Sequence, residues 1–212
     1  MIKALSRDAI AARLARDIPD GWYVNLGIGI PTRVADFVPD DREVVFQSEN
    51  GVIGFGPAPA ADAVDPWLIN AGKQPVTLRP GGAFVHQADS FAMIRGGHID
   101  LCVLGAFQVS STGDIANWAT SSNDAAPAVG GAMDLAAGAK RLWVAMEHLT
   151  KDSTSRLVER CTYPLTAAGV VSRVYTNLAV FDVTPDGFRL LDILVTMSLD
   201  ELQQRTAAPI LT

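Results

Sequence analysis

Four short apolar runs, each ending in glycine or polar residues, dominate the hydrophobic pattern of the first 150 positions. They cover residues 22–29, 43–51, 99–107 and 141–149. Near-continuous apolar runs of this length are typical of strands in a parallel sheet that is buried on both faces. Helical patterns lie between them at residues 31–38, which begin with Pro31, and at residues 131–140. The pattern therefore predicts strands that alternate with helices.

The two ends of the chain add different elements. Residues 1–18 read as an amphipathic helix with Ser6 as its N-cap, and they lack the features of an export signal. Residues 173–193 predict an antiparallel hairpin that turns at residues 185–187, and Ser198 with Glu201 form a capping-box pattern. We therefore expect one α/β domain over residues 1–212. Its open, mostly parallel sheet has helices on both faces and an antiparallel C-terminal portion.

Composition and charge exclude several functional classes. Hydrophobic residues make up 49% of the 212 positions and charged residues 19%, which is enough apolar surface for a core. No apolar run approaches the roughly 18–20 residues of a membrane span. The formal net charge is −6 and no basic run is present, so we expect no nucleic-acid partner and no membrane partner. The lack of an export signal predicts a cytoplasmic protein.

The cysteines and histidines give no sign of a metal site. Cys102 and Cys161 are far apart among apolar neighbours, as expected of small core residues. His86, His98 and His148 show no metal-binding spacing. His148 follows Glu147 at a predicted strand end, where the pair could line a pocket, although a structural role is more common. The sequence thus predicts no metal.

Two glycine turns follow or precede regular elements. Gly27 and Gly29 match two glycines of the dinucleotide-binding fingerprint, but Thr32 stands at the third position, so a plain strand-to-helix turn is equally consistent. Gly130 and Gly131 precede a predicted helix, whose first N–H groups could bind an oxyanion, or they could form a simple turn.

Glu49 is the sharpest functional candidate in the chain. It lies in the segment FQSENGVIGFGPAP, residues 46–59, at the end of an apolar run, and glycines follow at Gly51, Gly54 and Gly56. A glutamate in a turn is usually just solvated. Here the apolar flanks and the glycines, which could let a bulky ligand approach the backbone, favour a functional role. A carboxylate that is ionised at neutral pH can attack an activated acyl group without a helper base, as in acyl transfer from a thioester.

Ligands of open α/β sheets bind beyond the carboxyl ends of the strands. The Gly27 turn, the turn at residues 48–51 and the turn at Gly130 and Gly131 all lie at that edge of the predicted sheet. We therefore expect them to form one site. Arg95 precedes two glycines, and we favour a cation at the C-terminus of a helix over an anion contact there.

Long segments of the chain resemble the B (beta) chain of bacterial 3-oxoacid CoA-transferases. The resemblance covers nearly the whole length and is carried by YVNLGIGIPT, SENGVIGFGPAP, LINAGKQPVTL, SFAMIRGGHIDLCVLGAFQVS, GDIANW, VGGAMDL and RLVERCTYPLT. Two further segments, ATSSNDAAPAVGGAMDLA and GGAFVHQADSF, are more similar to members that use 3-oxoadipate. A PGK segment of the acetoacetate-using members is missing.

The resemblance implies a mechanism and a set of site residues. Glu49 would carry CoA as a glutamyl-CoA thioester, formed from succinyl-CoA and passed to a 3-oxoacid. The other residues implied or considered for oxyanion, substrate or CoA binding are Asn50, Gly51, Gly130, Gly131, Gly27 and Gly29. No permanently bound cofactor is implied, because the coenzyme A thioester is itself the substrate.

The resemblance also implies a partner, the alpha subunit of the transferase, in a heterodimer or heterotetramer with the site near the interface. Two alternatives stay open. The acceptor could be acetoacetate or another short-chain acid in place of 3-oxoadipate. The chain could also be a nucleotide-binding module or a non-catalytic subunit, in which case Glu49→Gln would leave activity intact.

Overall fold

The computed structural model describes residues 3–39, 41–121 and 128–212. Its α-helices are α1 (Arg7–Ala15), α2 (Gln87–Arg95), α3 (Ala132–Gly138) and α4 (Leu199–Gln203), and short 3-10 helices cover Pro31–Asp36 and Ala61–Ala63. The strands are β1 (Tyr23–Leu26), β2 (Val45–Ser48), β3 (Val52–Phe55), β4 (Leu78–Phe84), β5 (Leu101–Leu104), β6 (Gln108–Ser110), β7 (Ile115–Ala116), β8 (Leu142–Ala145), β9 (Leu157–Val158), β10 (Val171–Tyr175), β11 (Ala179–Thr184), β12 (Gly187–Ile193) and β13 (Ile210–Leu211).

A ten-stranded sheet forms the centre of the molecule, in the order β13-β12-β11-β10-β8-β5-β1-β2-β3-β4. The five middle strands, β10-β8-β5-β1-β2, are parallel to one another, and the four predicted apolar runs supply β1, β2, β5 and β8. Val24 of β1, for example, pairs with Phe46 on one side and Leu101 on the other. The predicted mostly parallel sheet is therefore confirmed in its centre.

Both faces of the sheet are covered, because successive side chains of each central strand enter different clusters. Leu101 of β5 belongs to a buried cluster that includes Leu14 of α1. The next residue, Cys102, belongs to a second cluster with Ile94 of α2 and Leu135 of α3. The strands are thus buried on both sides, which explains why they are continuously apolar in sequence.

The predicted signals at the two ends of the chain are present. The Ser6 side chain accepts a hydrogen bond from the Ala9 N–H and caps α1. Ser198 and Glu201 form a reciprocal capping box at α4. Strands β11 and β12 form the predicted antiparallel hairpin, with Thr184 paired to Gly187 at the turn. The antiparallel C-terminal portion is confirmed.

Other elements differ from the sequence prediction. Strands β3 and β4 add a second antiparallel edge, next to β2, and β7-β6-β9 form a separate three-stranded sheet. Strands of two or three residues are too short for a periodic signal, so the small sheet could not be predicted. Pro31–Asp36 forms a 3-10 helix and not an α-helix. In the described residues, no helix has the length and apolarity needed to cross a membrane.

Candidate active site

Glu49 lies at the tip of the β2–β3 hairpin, at the carboxyl end of a central parallel strand. The turn is closed by a 2.9 Å hydrogen bond from the Gly51 N–H to the Ser48 carbonyl. Gly51 has a φ of 108°, and a Cβ atom there would lie 2.2 Å from the Val85 carbonyl oxygen. Only glycine fits this turn, so its backbone fixes where the Glu49 side chain begins.

The Glu49 side chain borders a cavity of about 580 Å³ at this edge of the sheet. The structure brings the three predicted turns together there, since Gly27, Gly29, Gly130 and Gly131 line the same cavity. They come from the end of β1 and from the start of α3, far from Glu49 in sequence. The convergence follows from the parallel arrangement, which places the carboxyl ends of the central strands at one edge.

Gly131 makes the closest approach to the carboxylate. A Cβ atom at Gly131 would lie 2.7 Å from Glu49 Oε2 and 2.9 Å from Phe91 Cζ. Gly27 has a different role, because a Cβ atom there would lie 2.9 Å from Leu104 Cδ2 of the neighbouring strand. Gly131 therefore lets the Glu49 carboxylate lie against the backbone at the start of α3, and Gly27 lets the turn after β1 pack against β5.

Two predicted site residues, Asn50 and Gly51, do not line the cavity. The exposed Asn50 donates from Nδ2 to the Ile69 carbonyl, at 2.8 Å, and so fixes a neighbouring loop. The space beside Gly51 is filled by the Val85 carbonyl. A direct ligand contact by these residues is therefore a wrong expectation.

The glycines after Glu49 also differ from their predicted role. A Cβ atom at Gly54 would lie 3.0 Å from Gly82 Cα, and one at Gly56 would lie 2.5 Å from Thr77 Oγ1. These glycines make room for β4 and for the chain just before it. The idea that they admit a ligand is corrected by this packing.

A buried network of polar side chains lies beneath the hairpin. Asn25 Nδ2 donates to Gln47 Oε1 at 2.6 Å, and Gln47 Nε2 donates to Ser90 Oγ of α2. Ser90 Oγ donates to the Ser48 carbonyl at 3.4 Å, and the Ala71 N–H donates to Ser48 Oγ at 2.9 Å. Because Asn25 and Ala71 also line the cavity, the network connects its walls to the strand that ends at Glu49.

Sequence reasoning missed several residues of the cavity wall. Asn25 and Gln47 could have been noticed, since each is a polar residue inside an apolar run and must find partners when buried. Arg156 lies in the cavity wall and begins the segment RLVERCTYPLT, whose sequence alone carries no chemical signal. Arg7 and Glu147 form an ion pair on the same wall, with 3.0 Å between Nη2 and Oε1.

Two other candidates have structural roles. Arg95 ends α2 before the Gly96 C-cap, which confirms the favoured interpretation, and it binds both oxygens of Asp134 at 2.7 and 3.0 Å. His148 is fully buried between Thr176 and Thr206, at 3.1 and 3.0 Å. Burial lowers the pKa of His148 to about 4, so the ring is neutral at neutral pH and ties β8 to the C-terminal segment.

Comparison with known proteins gives the family. The model of the coenzyme A transferase family matches residues 7–196 of the 212. The chain belongs to the coenzyme A transferase family. Among curated relatives, this CoA-transferase is 56% identical over 209 residues to the beta (B) chain of the 3-oxoadipate CoA-transferase of Pseudomonas putida, covering 99% of this chain and 98% of that protein. It is 48% identical over 202 residues to the corresponding chain of the succinyl-CoA:3-ketoacid coenzyme A transferase of Helicobacter pylori, covering 95% and 97%.

Solved structures show the same fold. An acyl-CoA transferase from Escherichia coli O157:H7 matches with a TM-score of 0.75 at 19% identity, covering 98% of this chain. The match spans only 42% of the E. coli chain, so that protein carries a further portion to which this chain does not correspond. In the described part of the CoA-transferase, no group of three or more histidine, cysteine, aspartate or glutamate side chains is placed to hold a metal ion.

The electrostatic setting of Glu49 distinguishes it from the surface carboxylates of the CoA-transferase. Burial raises the pKa of Glu49, and the negative charge of Asp134 raises it further. The Arg95 guanidinium lowers the pKa of Asp134 and so keeps Asp134 ionised. A half-buried carboxylate that is poorly solvated is a stronger nucleophile than one in water, once it is ionised.

Proposed function

We propose that this chain is the Glu49-bearing subunit of a transferase that moves CoA from succinyl-CoA to 3-oxoadipate. The observation that carries the proposal is the half-buried Glu49 carboxylate, which borders the cavity and lies against the backbone of Gly131. The Pseudomonas putida relative, which is named for 3-oxoadipate, supports this choice of acceptor. Residues 122–127, inside one of the two segments that first suggested this acceptor, lie outside the described residues.

The proposed reaction passes through two anhydrides and one enzyme thioester. A Glu49 oxygen attacks the thioester carbonyl of succinyl-CoA, which breaks the C–S bond and gives a mixed anhydride and CoA thiolate. The thiolate then attacks the Glu49 carbonyl, which forms glutamyl-CoA and releases succinate. A 3-oxoadipate carboxylate attacks glutamyl-CoA, and the returning thiolate takes the 3-oxoadipyl group and frees Glu49. One thioester replaces another, so we propose that no bound cofactor or metal is required.

The cavity walls suggest how the intermediates are stabilised. Backbone N–H groups at Gly130 and Gly131, next to Glu49, are our candidates for oxyanion donors, and one well-placed donor contributes about 3 kcal/mol. The turn at Gly27 and Gly29 presents backbone without side chains to the same cavity. Contacts to the distant parts of CoA would hold its thioester against the crowded carboxylate and keep out water, which would hydrolyse the intermediates.

We propose that the chain works with an alpha subunit. The Pseudomonas putida and Helicobacter pylori relatives are each named as one of the lettered subunits of their transferase, the second letter in both cases. We infer a heterodimer or heterotetramer in which the alpha subunit completes the site near the open side of the cavity. The Helicobacter pylori relative is named for a 3-ketoacid, so a panel of 3-oxoacids, including acetoacetate, would decide the acceptor.

Covalent trapping tests the proposal. The purified complex with its alpha subunit is incubated with succinyl-CoA, reduced with borohydride and digested, and the peptide that contains Glu49 is read by mass spectrometry. We expect the glutamyl thioester to be reduced to an alcohol, so that the side chain loses one oxygen and gains two hydrogens. The Glu49→Gln complex should give no such peptide. An active wild-type complex whose Glu49 peptide is never modified would overturn the mechanism.

The pH dependence gives a second test, since only the ionised Glu49 can attack. Its pKa is raised, so activity should fall as the pH drops through that raised pKa. Asp134→Asn removes a negative charge that raises the pKa of Glu49. We therefore expect the acidic limb of the kcat profile to move to lower pH in this variant.

A matched control for Asp134 is available on the neighbouring helix. Asp89 is exposed in the first turn of α2 and does not shift the pKa of Glu49. Asp89→Asn should leave the acidic limb in place. A limb that stays fixed in Asp134→Asn, or that moves to higher pH, would contradict the assignment of the limb to Glu49.

A further inference from the structure

Arg156 is a cation whose backbone is firmly held in the cavity wall. It lies just before β9, and its N–H donates to the His148 carbonyl at 3.0 Å. Its own carbonyl accepts from the Val109 N–H of β6 at 2.9 Å. The residue is therefore fixed on both sides, between the chain after β8 and the small sheet, with its side chain at the cavity.

The Arg156 guanidinium is poorly satisfied by the protein itself. Nη1 donates to the Ala106 carbonyl at 2.9 Å, whereas Nε is buried without an acceptor. No carboxylate in residues 3–39, 41–121 or 128–212 forms an ion pair with it. Arginine carries five N–H donors, and a buried donor without an acceptor is destabilising. Such a group is expected to have a partner in the working complex.

Two other arginines show what this partner would be. Arg7 lines the same cavity, but its Nε and Nη2 both donate to Glu147 Oε1, at 3.1 and 3.0 Å. Arg95 uses the same two nitrogens to bind the two oxygens of Asp134. In both cases a carboxylate occupies the Nε–Nη2 edge, which is the usual geometry of arginine–carboxylate pairs. The same edge of Arg156 has no carboxylate from the described chain.

The charge around the cavity makes a free cation useful. Glu49 and Glu147 both line the cavity, and the chain carries a formal net charge of −6. Arg7 is already neutralised by Glu147. An anionic substrate would therefore be repelled unless a local positive charge compensated it. Of the described lining residues, Arg156 is the cation without an acidic partner.

We propose that Arg156 binds the distal carboxylate of dicarboxylic substrates and thereby selects 3-oxoadipate over a monocarboxylic 3-oxoacid of the same length. This inference rests on the proposed function, since it places the reacting carboxylate at Glu49 and the distal one at Arg156. The bound carboxylate accepts from Nη2 and, after a small rotation of the side chain, from Nε. Arg156 then acts as a specificity residue that touches the substrate and takes no part in the acyl transfer.

The test compares two acceptors that differ only at the distal end. 3-Oxohexanoate has a methyl group where 3-oxoadipate has its second carboxylate. In the complex with the alpha subunit, Arg156→Gln should lower kcat/KM for 3-oxoadipate by on the order of 30-fold or more, mainly through KM. The same variant should leave kcat/KM for 3-oxohexanoate unchanged. Arg156→Lys, which keeps the charge but not the fork of donors, should restore part of the preference.

Arg160→Gln is the matched control, because Arg160 is exposed, lies four positions along and does not line this cavity. It should leave both acceptors unaffected. Equal losses for the two acceptors in Arg156→Gln would overturn the inference and indicate a contact to CoA or a role in folding. No loss for either acceptor would also overturn it. Thioester trapping on Glu49 in the same variant reports separately on the proposed mechanism.

Discussion

Glu49→Gln should lower the kcat of the complex by on the order of 10³-fold or more, because the amide cannot form the glutamyl thioester. Glutamine has nearly the same shape as glutamate, so it should fit between the hairpin and the Gly131 backbone. The measurement is steady-state transfer from succinyl-CoA to 3-oxoadipate, with the alpha subunit present at saturation. Activity close to that of the wild type would support a non-catalytic role for this chain.

A loss of activity must be separated from a loss of folding. The pKa of Glu49 is raised in the folded chain, so its ionisation opposes folding once the pH rises above the ordinary value for glutamate. Glu49→Gln removes this effect, and the variant should therefore melt at the same temperature as the wild type or higher at neutral pH. A sharply lower melting temperature would mean that the kinetic result cannot be assigned to the nucleophile.

Glu49→Asp separates the charge of the side chain from its position. Aspartate keeps the carboxylate but withdraws it by one methylene from the start of α3. A misplacement of about 1 Å in a reacting group can lower a rate by about 10²-fold. We expect Glu49→Asp to retain more activity than Glu49→Gln but far less than the wild type, and equal activity in Glu49→Asp and wild type would contradict a nucleophilic role.

The central sheet could be predicted because burial on both faces leaves a direct trace in the sequence. Each middle strand is a short apolar run, and Leu101 and Cys102 show why, since they face different clusters. Once the strands are parallel, their carboxyl ends must lie at one edge, so the meeting of Glu49 with Gly130 and Gly131 followed from topology. The small sheet left no such trace, because β7 and β9 are each two residues long.

The glycines after Glu49 show where sequence reasoning stops. A glycine can be required by its φ angle, by a neighbouring chain segment or by a ligand, and the sequence does not distinguish these causes. The space beside Gly51 is taken by the Val85 carbonyl, which lies more than thirty positions away along the chain. The influence of Asp134 on Glu49 was equally hidden, since it depends on how α3 packs beside the hairpin.

Gly131→Ala should lower the kcat of the complex by about 10²-fold, because the new methyl group would displace the catalytic carboxylate. The added Cβ would lie 2.7 Å from Glu49 Oε2, closer than real Cβ atoms approach other groups, and 2.9 Å from Phe91 Cζ. Gly131 has φ −77° and ψ −3°, a conformation that alanine adopts without strain. The substitution therefore acts on the neighbours of Gly131 and not on its own backbone.

Ala137→Gly controls for a general weakening of helix α3. Ala137 is exposed on this helix, and glycine there costs about 1 kcal/mol of helix stability without any contact to Glu49. The control should keep its kcat while its melting temperature falls, whereas Gly131→Ala should lose kcat. If Gly131→Ala kept full kcat, the Glu49 carboxylate would have to move freely away from α3. Its position against the Gly131 backbone would then have no part in the reaction, and the oxyanion role proposed for Gly130 and Gly131 would lose its geometric basis.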